Sequence, residues 1–385
     1  MNEKDFISDR AGRLFLEQNG FYHRFEPNTL PFEYKVSEEL NSMLFETSLN
    51  LGRLDGIACK FSPEEVELII RPFMYKEATL SSEIEGTRAT LSDVYKSEKE
   101  TEKDREKALD TEEVRNYIKA LQYGLEEIKN REISEDLVKE LHQILLKGAR
   151  GENKSPGEYK TSQNAIGKAT DTLETAKYVP ASPQSVPPLM KNLVAYLYQE
   201  DSTNPLFKIA IAHYQFEAVH PFRDGNGRVG RLIIMLYMCR EGILKQPLLY
   251  VSEYFKSHRD EYTGRLFNVS AKGELEEWMA YFLKALNEQS KKSLDYAMGL
   301  EDYKKTLKTR LQKKYKTNNA LSIVDMLFEN PYITTKDITG KLGVSAPAAA
   351  DLIKIMKTEK ILEEITGKER KRVYLARGIL RILEL

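Results

Sequence analysis

The chain has 385 residues, 41% of them hydrophobic, with 58 Lys and Arg against 59 Asp and Glu. That length and apolar content predict two or three packed domains, and the formal charge of −1 names no polyanionic or polycationic partner for the chain as a whole. Two cysteines without a CxxC spacing, Cys59 and Cys239, argue against a disulfide framework or a cysteine zinc site and fit a reducing compartment.

The opening MNEKDFISDR is charged and has no apolar signal core. Apolar residues at three- and four-residue intervals predict helices over 37–57, 64–82, 111–128 and 134–148. Ser134 stands before its apolar run and caps that helix, without a capping-box partner at Leu137. Residues 151–188 are rich in Gly, Pro, Ser and Thr, and two β-like pieces, YKTSQNAI and AKYVPAS, predict a loop carrying a small hairpin. A long irregular stretch inside a compact domain is more often functional than idle. Helices resume over 188–200 and 205–220, and again after 228. The longest apolar run, LIIMLYM at 232–238, is too short to cross a bilayer, so the expectation is a cytoplasmic protein with no membrane partner.

Residues 296–317 read as a strongly basic, helical connector. Beyond it the pattern reads helix 319–329, helix 334–341, the turn LGVS, helix 346–358, then two strands around a charged turn at Gly367–Lys371. That is the layout of a winged helix-turn-helix. From 301 onward there are 18 Lys and Arg against 11 Asp and Glu, which suits DNA. The recognition-helix position, SAPAAADLIKIMKTEK, is alanine-rich and offers few base-reading groups, so a DNA partner and a protein partner both stay open. The chain shows no internal repeat.

The densest chemistry is HPFRDGNGRVGR, residues 220–231. Asp224-Gly225-Asn226-Gly227 is a turn sequence, and an apolar helix follows at once. Such a junction exposes unpaired backbone N–H groups at a helix N-terminus, which suits phosphate. Arg228 and Arg231 lie three residues apart on the first turn, where the helix dipole disfavours cations unless a polyanion sits between them. Asp224 can hold Mg²⁺ through one carboxylate, with waters and phosphate oxygens completing the shell. His220, at the other lip of the loop, can take a proton from an incoming hydroxyl.

HPFRDGNGRVGR resembles the signature of the Fic family, HxFx(D/E)GN(G/K)RxxR, at every position. The resemblance covers roughly 30–285. It implies a mainly α fold, a Fic-type helical bundle with a small β-hairpin flap, followed here by the winged-helix module. It implies transfer of AMP from ATP to a Ser, Thr or Tyr hydroxyl of a target protein or of the enzyme itself. By motif position His220 would be the base and Asp224 the Mg²⁺ ligand. Gly225, Asn226 and Gly227 would line the anion hole, with Val229 and Gly230 in the same nucleotide-binding run. Arg228 and Arg231 would hold the outgoing phosphates, and Phe222 would be packed inside. Relatives also move UMP, phosphocholine or phosphate; the GNGR form, rather than a GNK form, favours nucleotidyl transfer over the kinase variant and leaves the nucleobase open.

SSEIEGT, residues 81–87, resembles the family's inhibitory motif (S/T)xxxE(G/N), through Ser81, Glu85 and Gly86. It implies an ion pair of Glu85 with Arg231 that leaves ATP in an unproductive pose; the same site could run in reverse, removing AMP with Glu85 orienting a water. SPGEYKTSQNAIG resembles the flap, which would take the target's backbone as an added strand along 155–180. The family usually shows arginine where this chain has Lys160. Within LYVSEYFKSHRDEYTGRL, Tyr262 is the candidate for the adenine, whereas His213, His258 and Trp278 read as structural. Relatives often pair, so a homodimer is expected. The division that follows is an inhibitory region over 1–110, a catalytic core over 111–295, the connector 296–317 and the winged-helix module 318–385. The rival reading is a DNA-binding winged-helix regulator with a nucleotide-sensing Fic domain.

Overall fold

The computed structural model describes residues 1–17, 20–58, 63–99, 104–168, 170–315, 317–367 and 370–384. Cys59 and part of the charged turn at 367–371 lie outside the described residues. The chain opens on an antiparallel hairpin of β1 (Gly12–Leu16) and β2 (His23–Pro27), with Leu14 opposite Phe25. Among the described residues eleven helices follow: α1 (Glu38–Ala58), α2 (Pro63–Ile84), α3 (Leu91–Ser97), α4 (Arg105–Glu127), α5 (Glu135–Leu146), α6 (Val186–Leu197), α7 (Pro205–Val219), α8 (Asn226–Arg240), α9 (Ser252–Ser257), α10 (Arg259–Lys272) and α11 (Leu275–Lys314). The chain continues through α12 (Asn318–Glu329), β3 (Tyr332–Thr334), α13 (Thr335–Leu342), α14 (Ala346–Thr358), β4 (Glu363–Glu364), β5 (Val373–Leu375) and α15 (Arg377–Glu384). The three C-terminal strands pair antiparallel in the order β3-β5-β4.

Two helices explain the architecture. Along α7 the run Leu206–Phe216 is buried at every residue, and α8 is buried from Arg228 to Met238. A helix apolar on all sides belongs in the centre of a domain. The α7–α8 junction, residues 220–225, is thereby held between two buried helices. Around it α2, α4, α5 and α6 contribute amphipathic faces, with α2 packed on both α4 and α9. At α5, Ser134 accepts the Leu137 N–H at 3.2 Å, the cap its sequence position predicts.

Some elements depart from the sequence reading. Among the described residues the flap pairs through a single bridge, Ile166 with Tyr178. Its stem residues instead spend their polar groups on the loop that follows α7. The connecting helix expected over 296–317 is helical as read but not separate: residues 296–314 are the distal half of the 40-residue α11. The hairpin β1–β2, the seven-residue α3 and the C-terminal α15 were not anticipated. The C-terminal elements rest on α3 and α11: Ser92 Oγ meets Tyr332 Oη at 2.6 Å, Asn330 Nδ2 donates to Tyr95 O at 3.0 Å, and Tyr296 Oη donates to Leu383 O at 3.0 Å. No helix among the described residues is long and apolar enough to cross a membrane.

Candidate active site

Helix α7 ends at His220, whose φ of 49° and ψ of 62° place a non-glycine residue in the left-handed region. Five residues on, Gly225 at φ 75° turns the chain into α8, a conformation that glycine adopts without a Cβ penalty. Between them Phe222 is fully buried and stacks face to face on His142 of α5, ring centroids 3.8 Å apart. His142 Nδ1 accepts the Gly157 N–H at 2.8 Å, so its Nε2 carries the proton and donates to Asp224 O at 3.0 Å. Burial pushes the His142 imidazole down to about 4, which keeps it in this neutral form. Asn226 braces the loop from the other side: its Oδ1 accepts the Phe222 N–H and its Nδ2 donates to Phe222 O, both at 2.8 Å.

The first N–H groups of α8, from Asn226, Gly227 and Arg228, have no acceptor within the helix and open onto the loop's concave side. Gly225 is the exception, because its N–H is taken by Asp224 Oδ1 at 2.6 Å. Over this nest lies Glu85, so close to Gly227 that a methyl group there would collide with its carboxylate. Glu85 Oε1 accepts from Arg231 Nη2 at 2.7 Å across 146 residues of sequence. Arg231 is 1% exposed and is held further by Ser81, Nε to Oγ at 2.7 Å and Nη2 to the carbonyl at 2.8 Å. Burial disfavours the Glu85 charge, but Arg231, Arg228 and His220 together hold the carboxyl below the usual range. Ser81 and Glu85 are aimed by α2, which Glu77 ties down: its Oε2 accepts the Ser252 N–H at 3.1 Å and its Oε1 accepts from Tyr117 Oη at 3.3 Å.

Arg228 is 3% exposed, with Glu113 and Asp224 at 4.0 and 3.9 Å, beyond hydrogen-bond reach. Its Nε and Nη1 are buried without a hydrogen-bond partner. Unmet buried guanidinium donors are costly, and they mark a place for anionic oxygen. Asp224 is 44% exposed at the same edge. With Oδ1 on Gly225, one carboxylate oxygen is left for a hard cation, which suits Mg²⁺ because that ion usually keeps waters and phosphate oxygens in its shell.

His220 is half-buried at the mouth of a cavity of about 520 Å³, lined by Ile166, Tyr178, Tyr214, Glu217, Tyr262 and Phe267 among others. Burial, with the Lys160 ammonium second, pushes the imidazole down to about 3, while Glu85 and the Glu217 carbonyl pull it up. The ring is therefore neutral at pH 7 and can accept a proton. A triphosphate alongside would raise its pKa toward the working range. A cleft of about 960 Å³ between α2, α4, α8 and α12 is larger, but mixed charges line it and it is remote from 220–231.

Not every residue of the run faces the cavity. Val229 is fully buried in the core and its N–H is bonded to Gly225 O at 3.1 Å. Gly230 lets α7 approach, since a Cβ there would sit 2.6 Å from Glu217 Oε1. Packing is the part both play. Tyr262 lines the cavity, but its hydroxyl is engaged by His213 Nε2 at 2.7 Å and its ring stacks on Phe255 at 4.4 Å. His213 and Trp278 are buried, and Trp278 Nε1 donates to Ala210 O at 2.8 Å. His258 stacks on Tyr254 at 4.2 Å. Two residues escaped the sequence reading. His142 looks like one more polar position on an amphipathic helix. Glu217, one turn before His220, is pushed up to about 8 by burial, with Oε1 unpartnered and Oε2 3.8 Å from His220 Nδ1.

Comparison with known proteins finds one family over most of the helices that build the site. The sequence model of the Fic/DOC family matches residues 132–238, and that of the Fic/DOC family N-terminal region matches 42–126. A probable protein adenylyltransferase of Aquifex aeolicus is 29% identical over 206 residues, 52% of this chain and 60% of the relative. The protein adenylyltransferase fic-1 of Caenorhabditis elegans is 34% identical over 155 residues, 40% of this chain and 27% of the relative. The chain thus spans less than two thirds of either relative. A Fic family protein from Desulfovibrio desulfuricans shares the fold at a TM-score of 0.57, with 19% identity over 90% of this chain and 98% of that one.

Proposed function

Because the chain belongs to the Fic/DOC family, we propose that it transfers AMP from ATP to a Ser, Thr or Tyr hydroxyl of a target protein, itself included, and that Glu85 restrains the reaction. The observation that carries the reading is the α7–α8 junction: a neutral imidazole, Gly227 of the open N–H nest and the buried Arg231 line one cavity, and Arg228, with unmet donors, stands on the same turn. The nucleoside occupies that cavity, with Tyr262 in its wall. The β- and γ-phosphates lie over the α8 N-terminus between Arg228 and Arg231. The acceptor oxygen attacks the α-phosphorus in line as its proton passes to His220. The bond to the β-phosphate oxygen breaks, and pyrophosphate leaves with the charge that the nest and arginines stabilise. Asp224 would hold Mg²⁺ through the carboxylate oxygen not taken by the Gly225 N–H, and the ion would supply charge neutralisation at the phosphates. The target backbone adds to the flap beside Ile166, which aligns a hydroxyl without much demand on sequence.

Glu85 opposes this in two ways: it occupies Arg231, and it sits over Gly227 where a phosphate oxygen must go. The same carboxylate could orient a water for the reverse reaction once AMP is on the target. Residues 318–385, with α13 and α14 followed by the β4–β5 hairpin, act as a winged-helix module that recruits a DNA or protein partner, with a homodimer as the working assembly in the cytoplasm. Intact-mass spectrometry after incubation with ATP and Mg²⁺ tests the reading. Little AMP adduct is expected on the wild type, a large adduct on Glu85→Gly and none on Glu85→Gly/His220→Ala. An adduct that survives loss of His220 would refute the assigned base.

A further inference from the structure

The loop that carries His220 is gripped from outside the signature. Lys160 is 2% exposed, and its Nζ donates to Val219 O at 3.2 Å and to Asn164 Oδ1 at 2.8 Å. The Lys160 backbone N–H donates to Pro221 O at 2.8 Å. Asn164 Nδ2 donates to Phe222 O at 2.8 Å and to His220 O at 3.4 Å. Four consecutive carbonyls, from Val219 to Phe222, thus point at two residues of the flap stem. Gln163 anchors the stem to the flap's other limb, its Nε2 donating to Pro180 O at 2.9 Å.

We propose that Lys160 and Asn164 are positioning residues for AMP transfer, a clamp that fixes the backbone on both sides of His220 and so aims the imidazole at the α-phosphorus. The inference rests on the function proposed above. It accounts for two things that the signature leaves open. The first is how a non-glycine residue is kept at positive φ, which persists only where its surroundings over-determine it. With the carbonyls before and after His220 both held, the chain has no freedom to relax. The second is how the acceptor is brought into register with the base. The flap residue paired to Tyr178 is Ile166, two positions beyond Asn164. One short stem therefore holds both the strand on which the target docks and the loop that deprotonates it.

The charge that Lys160 brings is part of the same arrangement. Three groups face the imidazole: Lys160 from the flap, Glu85 from the turn after α2, and Glu217 from α7. Burial pushes the Lys160 ammonium down to about 7, with Glu26 opposing, so a lysine here can lose its charge near neutral pH where an arginine could not. A clamp built on lysine loosens as pH rises through that value, because a neutral amine has one donor hydrogen fewer and no charge to assist the bonds.

The test uses the full chain in the Glu85→Gly background, with Lys160→Met, Asn164→Ala, the double variant and Lys160→Arg. The readouts are kcat for AMP incorporation, the dissociation constant for ATP by calorimetry, and hydrogen exchange of the 219–224 amides. Lys160→Met and Asn164→Ala are each expected to lower kcat by about 10- to 100-fold, the scale of a misplaced reacting group, with ATP affinity unchanged within about threefold. Exchange in the loop should accelerate in both. The double variant should be no worse than the poorer single one, since both act through one clamp. Lys160→Arg should restore kcat at pH 7 and hold it further into the alkaline range than the parent. Retention of kcat in both single variants, or a loss of ATP affinity as large as the loss of kcat, overturns the proposal. Should the Glu85→Gly parent itself make no adduct, the proposed reaction fails, and the clamp is then judged on exchange alone: unaltered exchange in both variants rejects it.

Discussion

Replacing Glu85 by glutamine and, separately, by glycine divides the block at Arg231 into charge and volume. The contact is a single 2.7 Å hydrogen bond between a fully buried guanidinium and a carboxylate that is 38% exposed. A hydrogen bond to a charged group contributes about 1.5–3 kcal/mol. Solvent at the Glu85 end screens it, which brings the working figure to about 1–2 kcal/mol. A γ-phosphate must displace that contact before Arg231 can serve it. Glycine removes both the charge and the volume over Gly227, so productive engagement of ATP should rise by about 5- to 30-fold. Glutamine keeps the volume and a neutral acceptor, worth about 1 kcal/mol, so it should fall between the wild type and glycine. Arg231 is not orphaned in either variant, because Ser81 keeps its Nε and Nη2 bonds. The assay is the initial rate of AMP incorporation at subsaturating ATP, with calorimetric affinities alongside. A glutamine variant as active as glycine would show that volume over Gly227 plays no part. Wild-type rates in both would refute the block altogether.

Phe222→Ala removes a fully buried ring stacked on His142 and should cost about 3–5 kcal/mol of stability, read as a lower melting temperature together with a loss of transfer. The pH dependence of stability follows from groups that the fold holds away from their ordinary values. His142, His213 and His220 are pushed down to about 4, 3 and 3, so each takes up a proton on unfolding and loses stability as pH falls below about 6.5. Glu77 and Glu217, pushed up to about 7 and 8, are protonated in the fold and release protons on unfolding, which offsets that loss between about pH 6.5 and 5. Glu217→Gln deletes one offsetting group, so its melting temperature should fall more steeply over that window than the wild type's; an unchanged slope would remove Glu217 from the scheme. For the C-terminal module, gel shifts of the full chain on two unrelated duplexes should give equal affinities that fall steeply with salt, because the first turn of α14 carries alanines and a proline where base-reading groups would stand; a shift selective for one duplex would contradict this.

How much of this could be read from sequence depends on the range of each interaction. The apolar periodicities of α1, α2, α5 and α7 place those helices within two residues at each end, because they are recorded locally, whereas α4 begins six residues before its apolar pattern. The junction at 220–231 was legible for the same reason: turn, arginines and apolar helix are contiguous. Glu85 was legible through a motif, although its partner lies 146 residues away. His142 was not, since the stack on Phe222 and the bond to the Asp224 carbonyl exist only once α5 meets the loop. Lys160 and Asn164 were read as flap and act on the loop for a like reason. Val229 and Gly230 share the signature with Asp224, Arg228 and Arg231, yet the helical turn directs them at α7 and the core. The hairpin at 12–27 escaped because its strands are short, and its register is fixed by contacts such as the Phe25 N–H with Val179 O at 2.8 Å, far along the chain.

The central claim is that the α-phosphorus of ATP is the atom attacked beside His220. Parallel incubations of Glu85→Gly with ATP labelled in the α- or the γ-phosphate address it directly. Covalent label from the α-position alone, abolished by adding His220→Ala, is the result expected. Label arriving from the γ-position would mean that the nucleotide lies the other way round in the cavity and that phosphate, not AMP, is passed on.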